Sequence, residues 1–203
     1  MPLHFFDSQA LARQPWHNGG GTTREIVCQP AGASMQNFDW RISIADVEQD
    51  GPFSVLPGVD RTIVLLEGPG LRLRSRCGQL DHQLDTPGMP LHFDGGLAVE
   101  AELLGGPSED FNVMTRAGRC LAQVSLLLGP ATRFPATTPA SPGLVLVLQG
   151  CWSLMQANGS ARLLTAGQGA WWTDASPACR LKTDHPDARL LQVQILSADG
   201  AQT

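Results

Sequence analysis

Hydrophobic and polar residues alternate singly along much of the chain. Trp40, Ile42 and Ile44 are interleaved with Arg41, Ser43 and Ala45, and Leu71 and Leu73 with Arg72 and Arg74. Leu97, Val99, Ala101 and Leu103 repeat the pattern, with Glu100 and Glu102 between them. A period of two belongs to a strand with one buried face. The apolar runs Thr62 to Leu66 and Leu144 to Leu148 predict strands buried on both faces. One helix is expected, over Ser8 to Gln14, with Ser8 as its N-cap and Pro15 as its stop. Elsewhere glycine (22) and proline (15), together about 18% of the chain, interrupt each segment before a helix can form. Many short strands separated by turn residues predict an all-β sandwich or barrel.

An internal echo suggests two similar halves. Ile63-Val-Leu-Leu-Glu-Gly68 leads into the strand Leu71 to Arg74, and Val145-Leu-Val-Leu-Gln-Gly150 into Cys151 to Met155. Each then reaches an aromatic segment, His92-Phe93-Asp94 or Trp171-Trp172-Thr173. Strand, glycine turn and strand is also the grammar of any hairpin. The Pro/Thr-rich stretch 130–142 is the expected connection, between a half spanning 1–129 and a half spanning 143–203, packed as one compact unit.

Charge narrows the function. The 203 residues carry a net charge of −5, with an isoelectric point near 5.4. That balance disfavours nucleic acid and anionic membrane, which both call for a basic face. Leu144 to Leu148 is too short to span a bilayer, and Met1 to Asp7 lacks the pattern of a signal peptide. A cytoplasmic protein acting on small molecules or on another protein is expected.

Local signs of catalysis are weak. The five cysteines (Cys28, Cys77, Cys120, Cys151, Cys179) form no CxxC pair and are expected as free thiols. His4, His17, His82, His92 and His185 form no HxH pair, the cheapest way to place two imidazoles on one ion, so neither a metal nor another cofactor is expected. There is no GxSxG elbow. Asp46, Asp60, Glu109 and Asp110 offer carboxylate pairs, but among 19 acidic residues such pairs arise by abundance, and they are taken as turn residues.

Two segments carry more. Asn18-Gly-Gly-Gly-Thr-Thr-Arg24 is either an anion cradle of backbone N–H groups closed by Arg24 or a glycine turn leading into a strand. Asp50-Gly-Pro-Phe-Ser-Val-Leu-Pro-Gly-Val-Asp-Arg61 is dense in turn residues and ends on an Asp-Arg pair. Nearby strands carry polar stripes: Arg41 and Ser43, then Asn112, Met114 and Arg116 alternating with Phe111, Val113 and Thr115. Facing inward, the stripes would line an arginine-rich cavity suited to a small carboxylate, which a guanidinium binds bidentately. Facing outward, they would hold surface ion pairs worth about 0–1 kcal/mol each.

These stretches resemble the HutD/Ves family of bacterial histidine utilisation. The likeness is carried by Pro15-Trp-His-Asn-Gly-Gly-Gly-Thr-Thr-Arg-Glu-Ile26, Trp40-Arg-Ile-Ser-Ile-Ala-Asp46 and 50–61, completed by Leu65-Leu-Glu-Gly68 and Asp110-Phe-Asn-Val-Met-Thr-Arg116. His17 stands where many members carry Lys, and Ala117 where a second Arg is common. The resemblance implies a bicupin, two cupin-like β-barrel halves in one chain. It also implies a non-catalytic regulatory protein that binds N-formyl-glutamate, urocanate or formate. Its motif positions point to Asn18, Arg24, Arg41, Ser43, Arg61, Asn112 and Arg116 as the site. Arg41 and Arg61 are expected to clamp carboxylate, Asn18 and Asn112 to meet carbonyl or formyl oxygens, and Ser43 to donate a hydrogen bond. Arg24 and Arg116 are alternatively partners of Glu25, Asp60 or Asp110. Trp16 and Trp40 are expected in the core rather than stacked on a ligand. A metal-free isomerase or hydrolase on the same acids, or an interaction module for a protein of the pathway, are the competing functions. Cupins commonly pair through sheet faces, so a homodimer stays open, with Trp171-Trp172 as an exposed patch.

Overall fold

The computed structural model describes residues 3–133, 141–156, 158–173 and 179–198. The strands follow one another as β1 (His4–Asp7), β2 (Arg13–Pro15), β3 (Gly21–Gln29), β4 (Trp40–Val47), β5 (Gly51–Pro52), β6 (Val59–Glu67), β7 (Leu71–Ser75), β8 (Asp81–Leu84), β9 (Pro90–Asp94) and β10 (Val99–Leu103). They continue with β11 (Ser108–Arg116), β12 (Cys120–Leu128), β13 (Ala131–Arg133), β14 (Gly143–Gln149), β15 (Cys151–Gln156), β16 (Ala161–Thr165), β17 (Gln168–Trp172), β18 (Cys179–Thr183) and β19 (Arg189–Ser197). The all-β expectation holds, and the alternating segments are strands. No helix among the described residues is long and apolar enough to cross a membrane.

The expected helix over Ser8 to Gln14 does not form. Ser8–Ala10 make one 3₁₀ turn, and the chain then extends into β2. Asp7 Oδ1 accepts the Gln9 N–H at 3.0 Å, while β1 pairs with β17 and β2 with β3. Ladder bonds on both sides outweigh the weak helical preference of so short a segment.

The chain forms two compact units, one of residues 11–121 and one of residues 1–10 with 122–203. This division differs from the expected boundary at 130–142. Ala131–Arg133 of that stretch form a strand paired with β18, and residues 134–140 lie outside the described residues. The first ten residues join the second unit because β1 adds to the free edge of β17.

Each unit holds a larger and a smaller sheet, and the strand order repeats. The order β4-β11-β6-β9 in one unit corresponds to β12-β19-β14-β17 in the other, and β5-β10-β7-β8 to β13-β18-β15-β16. The echoed segments thus occupy equivalent strands. In the 11–121 unit, Ile63 and Leu65 of the larger sheet pack with Leu71, Leu73, Leu84 and Val99 of the smaller one. In the other unit Val145, Val147, Trp172 and Leu190 pack with Trp152, Leu154, Leu164 and Leu181. Each unit is therefore a sandwich of two sheets around an apolar core.

Trp171-Trp172 is not an exposed patch. Trp172 is buried, its indole N–H donating to the Ser141 carbonyl at 2.9 Å. Trp171 stacks on His4 with ring centroids 4.1 Å apart. Strand alternation sends the two indoles to opposite faces, so they cannot form one surface.

Candidate functional site

Three neighbouring strands of the 11–121 unit build the floor of a cavity. In the antiparallel register Asn112 lies opposite Ser43, Met114 opposite Arg41, and Asp110 opposite Ala45. On the other side of β11, Met114 lies opposite Arg61. A period of two then gathers Arg41 and Ser43 of β4, Asp110, Asn112 and Met114 of β11, and Arg61 of β6 on one face. The stripe turns inward, because these residues line a cavity of about 470 Å³. Trp16, His17, Asn18 and Phe53 supply part of its wall from the flanking loops.

The loop that carries Asn18 is a glycine turn rather than an anion cradle. The Gly19 N–H donates to the Trp16 carbonyl at 3.0 Å, with Gly19 at φ +72°, and the Gly20 N–H donates to Asn18 Oδ1 at 3.1 Å. At Gly21 an added Cβ would sit 2.1 Å from the Asp46 carbonyl oxygen, so β3 reaches β4 only without a side chain there. The Trp16 indole N–H donates to Thr23 Oγ1 at 2.7 Å, tying the loop to β3. Trp16 thus both packs on the core and lines the cavity, whereas Trp40 is simply buried.

Of the expected positions, Asn18, Arg41, Ser43, Arg61 and Asn112 line this cavity, and Arg24 and Arg116 do not. Thr23 faces the cavity, so its neighbour Arg24 takes the opposite face of β3. There the buried Arg24 donates to Asp46 Oδ1 at 3.0 Å and to the Glu109 carboxylate. Arg116, at the end of β11, donates to the Gln36 carbonyl at 3.0 Å and lies over the Phe38 ring at 5.1 Å. It pins the loop that places Met35 on the cavity wall. Neither arginine pairs with Asp60 or Asp110 in these contacts, and Glu25 instead accepts from Arg41 Nε at 2.7 Å.

Arg61 is 5% exposed and lies over the rings of Phe53 and Phe93, its guanidinium carbon 5.0 Å and 5.1 Å from their centroids. Its Nη2 donates to Asn112 Oδ1 at 2.8 Å, while its buried Nε has no partner. Burial lowers its pKa to about 10, the Asp110 charge opposing that shift, and it remains a cation at neutral pH. Asn112 Nδ2 donates in turn to Asp110 Oδ1. Asp110 is fully buried and its Oδ2 meets no donor. Burial lifts its carboxyl to about 7, against the pull of Arg61 and of the Asn112 hydrogen bond. Arg41 Nη1 donates to Ser43 Oγ at 3.3 Å, which leaves that hydroxyl free to rotate its own proton toward the cavity.

Asp110 is the site residue that the sequence reading left among turn carboxylates. A signal was present: it continues the Asn112, Met114, Arg116 stripe by two residues.

The repeated strand order identifies the equivalent positions in the other unit. Leu65 pairs with Asp110 as Val147 pairs with Leu190, and Ile63 with Asn112 as Val145 with Gln192. Arg61 pairs with Phe93 as Gly143 pairs with Trp172. Where one unit has an arginine, the other has a glycine whose added Cβ would lie 2.6 Å from the Trp172 ring. The indole lies where a side chain at the Gly143 position would begin, the position that Arg61 takes in the 11–121 unit.

Among the described residues, no group of three or more His, Cys, Asp or Glu converges as metal ligands. The cavity offers two guanidinium groups, a hydroxyl and carboxamides, a donor set for a small anion.

Comparison with known proteins shows the family and the fold. The family model described as HutD matches residues 8–191. Protein Ves of Cronobacter sakazakii is 42% identical over 180 residues, covering 88% of this chain and 92% of that relative. The solved structure of HutD from Pseudomonas fluorescens SBW25, described as a formate condition, superposes with a TM-score of 0.79 at 26% identity, covering 97% of this chain and 99% of that one. A cupin 2 conserved barrel domain protein from Leptotrichia buccalis reaches a TM-score of 0.62 at 11% identity, over 95% and 96% of the two chains, which shows a shared cupin fold.

Proposed function

The chain belongs to the HutD family, and on that premise we propose that it is a non-catalytic binding protein for a small carboxylate in histidine utilisation. N-formyl-glutamate is the preferred ligand, with urocanate and formate as smaller or flatter relatives of the same class. The observation that carries this reading is Arg61: a buried guanidinium lying over two aromatic rings, with no carboxylate in direct contact, lining a cavity of about 470 Å³. This guanidinium reaches a carboxylate only indirectly, through Asn112 to Asp110, and a ligand carboxylate would pair with it directly. In this reading Arg41 and Arg61 hold carboxylate while Asn18, Asn112 and Ser43 meet the formyl and remaining carboxyl oxygens. The formate condition named for the Pseudomonas fluorescens HutD structure fits the same ligand class.

Thermal denaturation against N-formyl-glutamate, urocanate, formate and glutamate, at fixed pH and ionic strength, tests it. A ligand at about 100 times its Kd stabilises by about 2.7 kcal/mol, a rise of roughly 5–11 °C for a chain of this size. A rise with N-formyl-glutamate and none with glutamate supports the reading, and no shift with any of these acids at millimolar concentration removes it. Ligand recovered unchanged after prolonged incubation supports binding without turnover, and its consumption would make the protein an enzyme.

A further inference from the structure

Asp110 occupies a core position. Its counterpart in the other unit is Leu190, also fully buried, which completes an apolar cluster. An aspartate at that position places a carboxyl in low dielectric, which stability alone does not favour. One amide joins it to the cavity's buried cation: Arg61 Nη2 donates to Asn112 Oδ1 at 2.8 Å, and Asn112 Nδ2 donates to Asp110 Oδ1. The two groups at the ends of this chain each keep one unpartnered polar atom, Arg61 Nε and Asp110 Oδ2.

The charged groups around Asp110 come from three strands. Its own strand contributes Glu109, β6 contributes Arg61 and β4 contributes Asp46, while Arg41 of β4 acts on Arg61. Asp46 and Glu109 share Arg24 on the opposite face, and Arg41 is paired with Glu25. Arg61 is therefore the cation left to balance Asp110.

We propose that Asp110 is a proton-linked positioning residue: a carboxylate that binds at Arg61 enters together with one proton from solvent, which Asp110 takes up. The proposal rests on the carboxylate reading of the site. Arg41 is already neutralised by Glu25, so Arg61 would be the one unbalanced cation facing two carboxylates, and where like charges share a site one of them protonates. The proton goes to Oδ2, the oxygen without a partner, so the Asn112 bond to Oδ1 persists and Arg61 keeps its place. One anion and one proton enter, and the charge of the cavity is unchanged. Asp110 lies in the cavity wall with no solvent-exposed surface of its own, behind Asn112 and Arg61, and acts through them. Burial holds its carboxyl near 7 in the free protein, so the exchange falls within an accessible pH range. Below that value Asp110 is already protonated and affinity is flat. Above it, each unit of pH weakens binding by up to about tenfold.

Titration calorimetry of the full chain with N-formyl-glutamate and with formate, at pH 8 in phosphate and in Tris, reads the proton directly. The dependence of the heat on buffer ionisation is expected to show an uptake approaching one proton per ligand. In Asp110→Asn, whose amide mimics the protonated acid, binding persists, uptake vanishes and Kd no longer varies between pH 6.5 and 8.5. Histidine is the other side chain that exchanges protons near neutrality, and His17 lines the same cavity, so His17→Gln is the control and retains the uptake. Wild-type binding without proton uptake overturns the proposal alone, as does uptake that survives in Asp110→Asn or disappears in His17→Gln. If Asp110→Asn fails to fold, the wild-type and His17→Gln heats still decide. No binding of either acid between pH 5.5 and 8.5 overturns the carboxylate reading itself.

Discussion

The Arg61 guanidinium lies over the Phe53 and Phe93 rings while Asn112 takes one of its N–H groups. The planar fork is thereby oriented before any ligand arrives, which lowers the entropy lost on binding. Arg61→Ala removes the cation facing the ligand charge and is expected to cost about 2–5 kcal/mol, at least about 30-fold in Kd by calorimetry. Arg61→Lys keeps the charge but not the fork or the stacked plane, so an intermediate loss of about tenfold is expected. Asp110 also leaves a mark on stability. Its carboxyl is raised from 3.8 to about 7 in the folded state. Between those values the native protein binds more protons than the unfolded chain, so this residue's contribution falls as pH rises from about 4 to about 7 and is level above. The ligand-free thermal midpoint of Asp110→Asn, measured against wild type across that range, is expected to gain on wild type with rising pH. A constant difference would remove the raised carboxyl. The arginines of the stripe were legible in the sequence because guanidinium groups at alternate positions are chemically conspicuous. Asp110 was not, since only the pairing of β11 with its neighbours reveals that the position is buried.

At the level of strands, a period of two states which residues share a face but not which face looks inward. That is why the stripe on β4 and β11 was legible while its direction waited for the sheet. Arg24 shows the cost of relying on motif position: next to Thr23, it falls on the opposite face and serves an ion-pair cluster with Asp46 and Glu109. The segment Ser8 to Gln14 forms no helix for a related reason: the strand before it pairs with β17 and its own end pairs with β3, and no local propensity reports those partners. The glycines of the Asn18 loop separate by the same logic. Gly21→Ala forces a Cβ against a backbone carbonyl that cannot yield, and a loss of about 1–3 kcal/mol or more is expected from its urea midpoint. Gly19→Ala meets no neighbour and pays only for its positive φ, about 1–2 kcal/mol.

The whole molecule repeats one strand order but keeps the cavity's polar set in one unit. In the 11–121 unit the shared positions hold Arg61, Asp110 and Asn112; in the other they hold Gly143, Leu190 and Gln192. The repeat was legible in the sequence as two glycine-turned hairpins, whereas the exchange of Arg61 for Gly143 was not, because the hairpin echo stops short of it. Gly143 leaves room for the Trp172 ring, whose N–H is taken by the Ser141 carbonyl. A fixed indole lies against the backbone where a side chain equivalent to Arg61 would start, so that unit invests the position in packing. Trp172→Ala is accordingly expected to cost about 3–5 kcal/mol in chemical denaturation. Calorimetry is expected to give one carboxylate per chain for the wild type. A stoichiometry of two would mean that the second unit also holds a ligand, without an arginine at the Gly143 position.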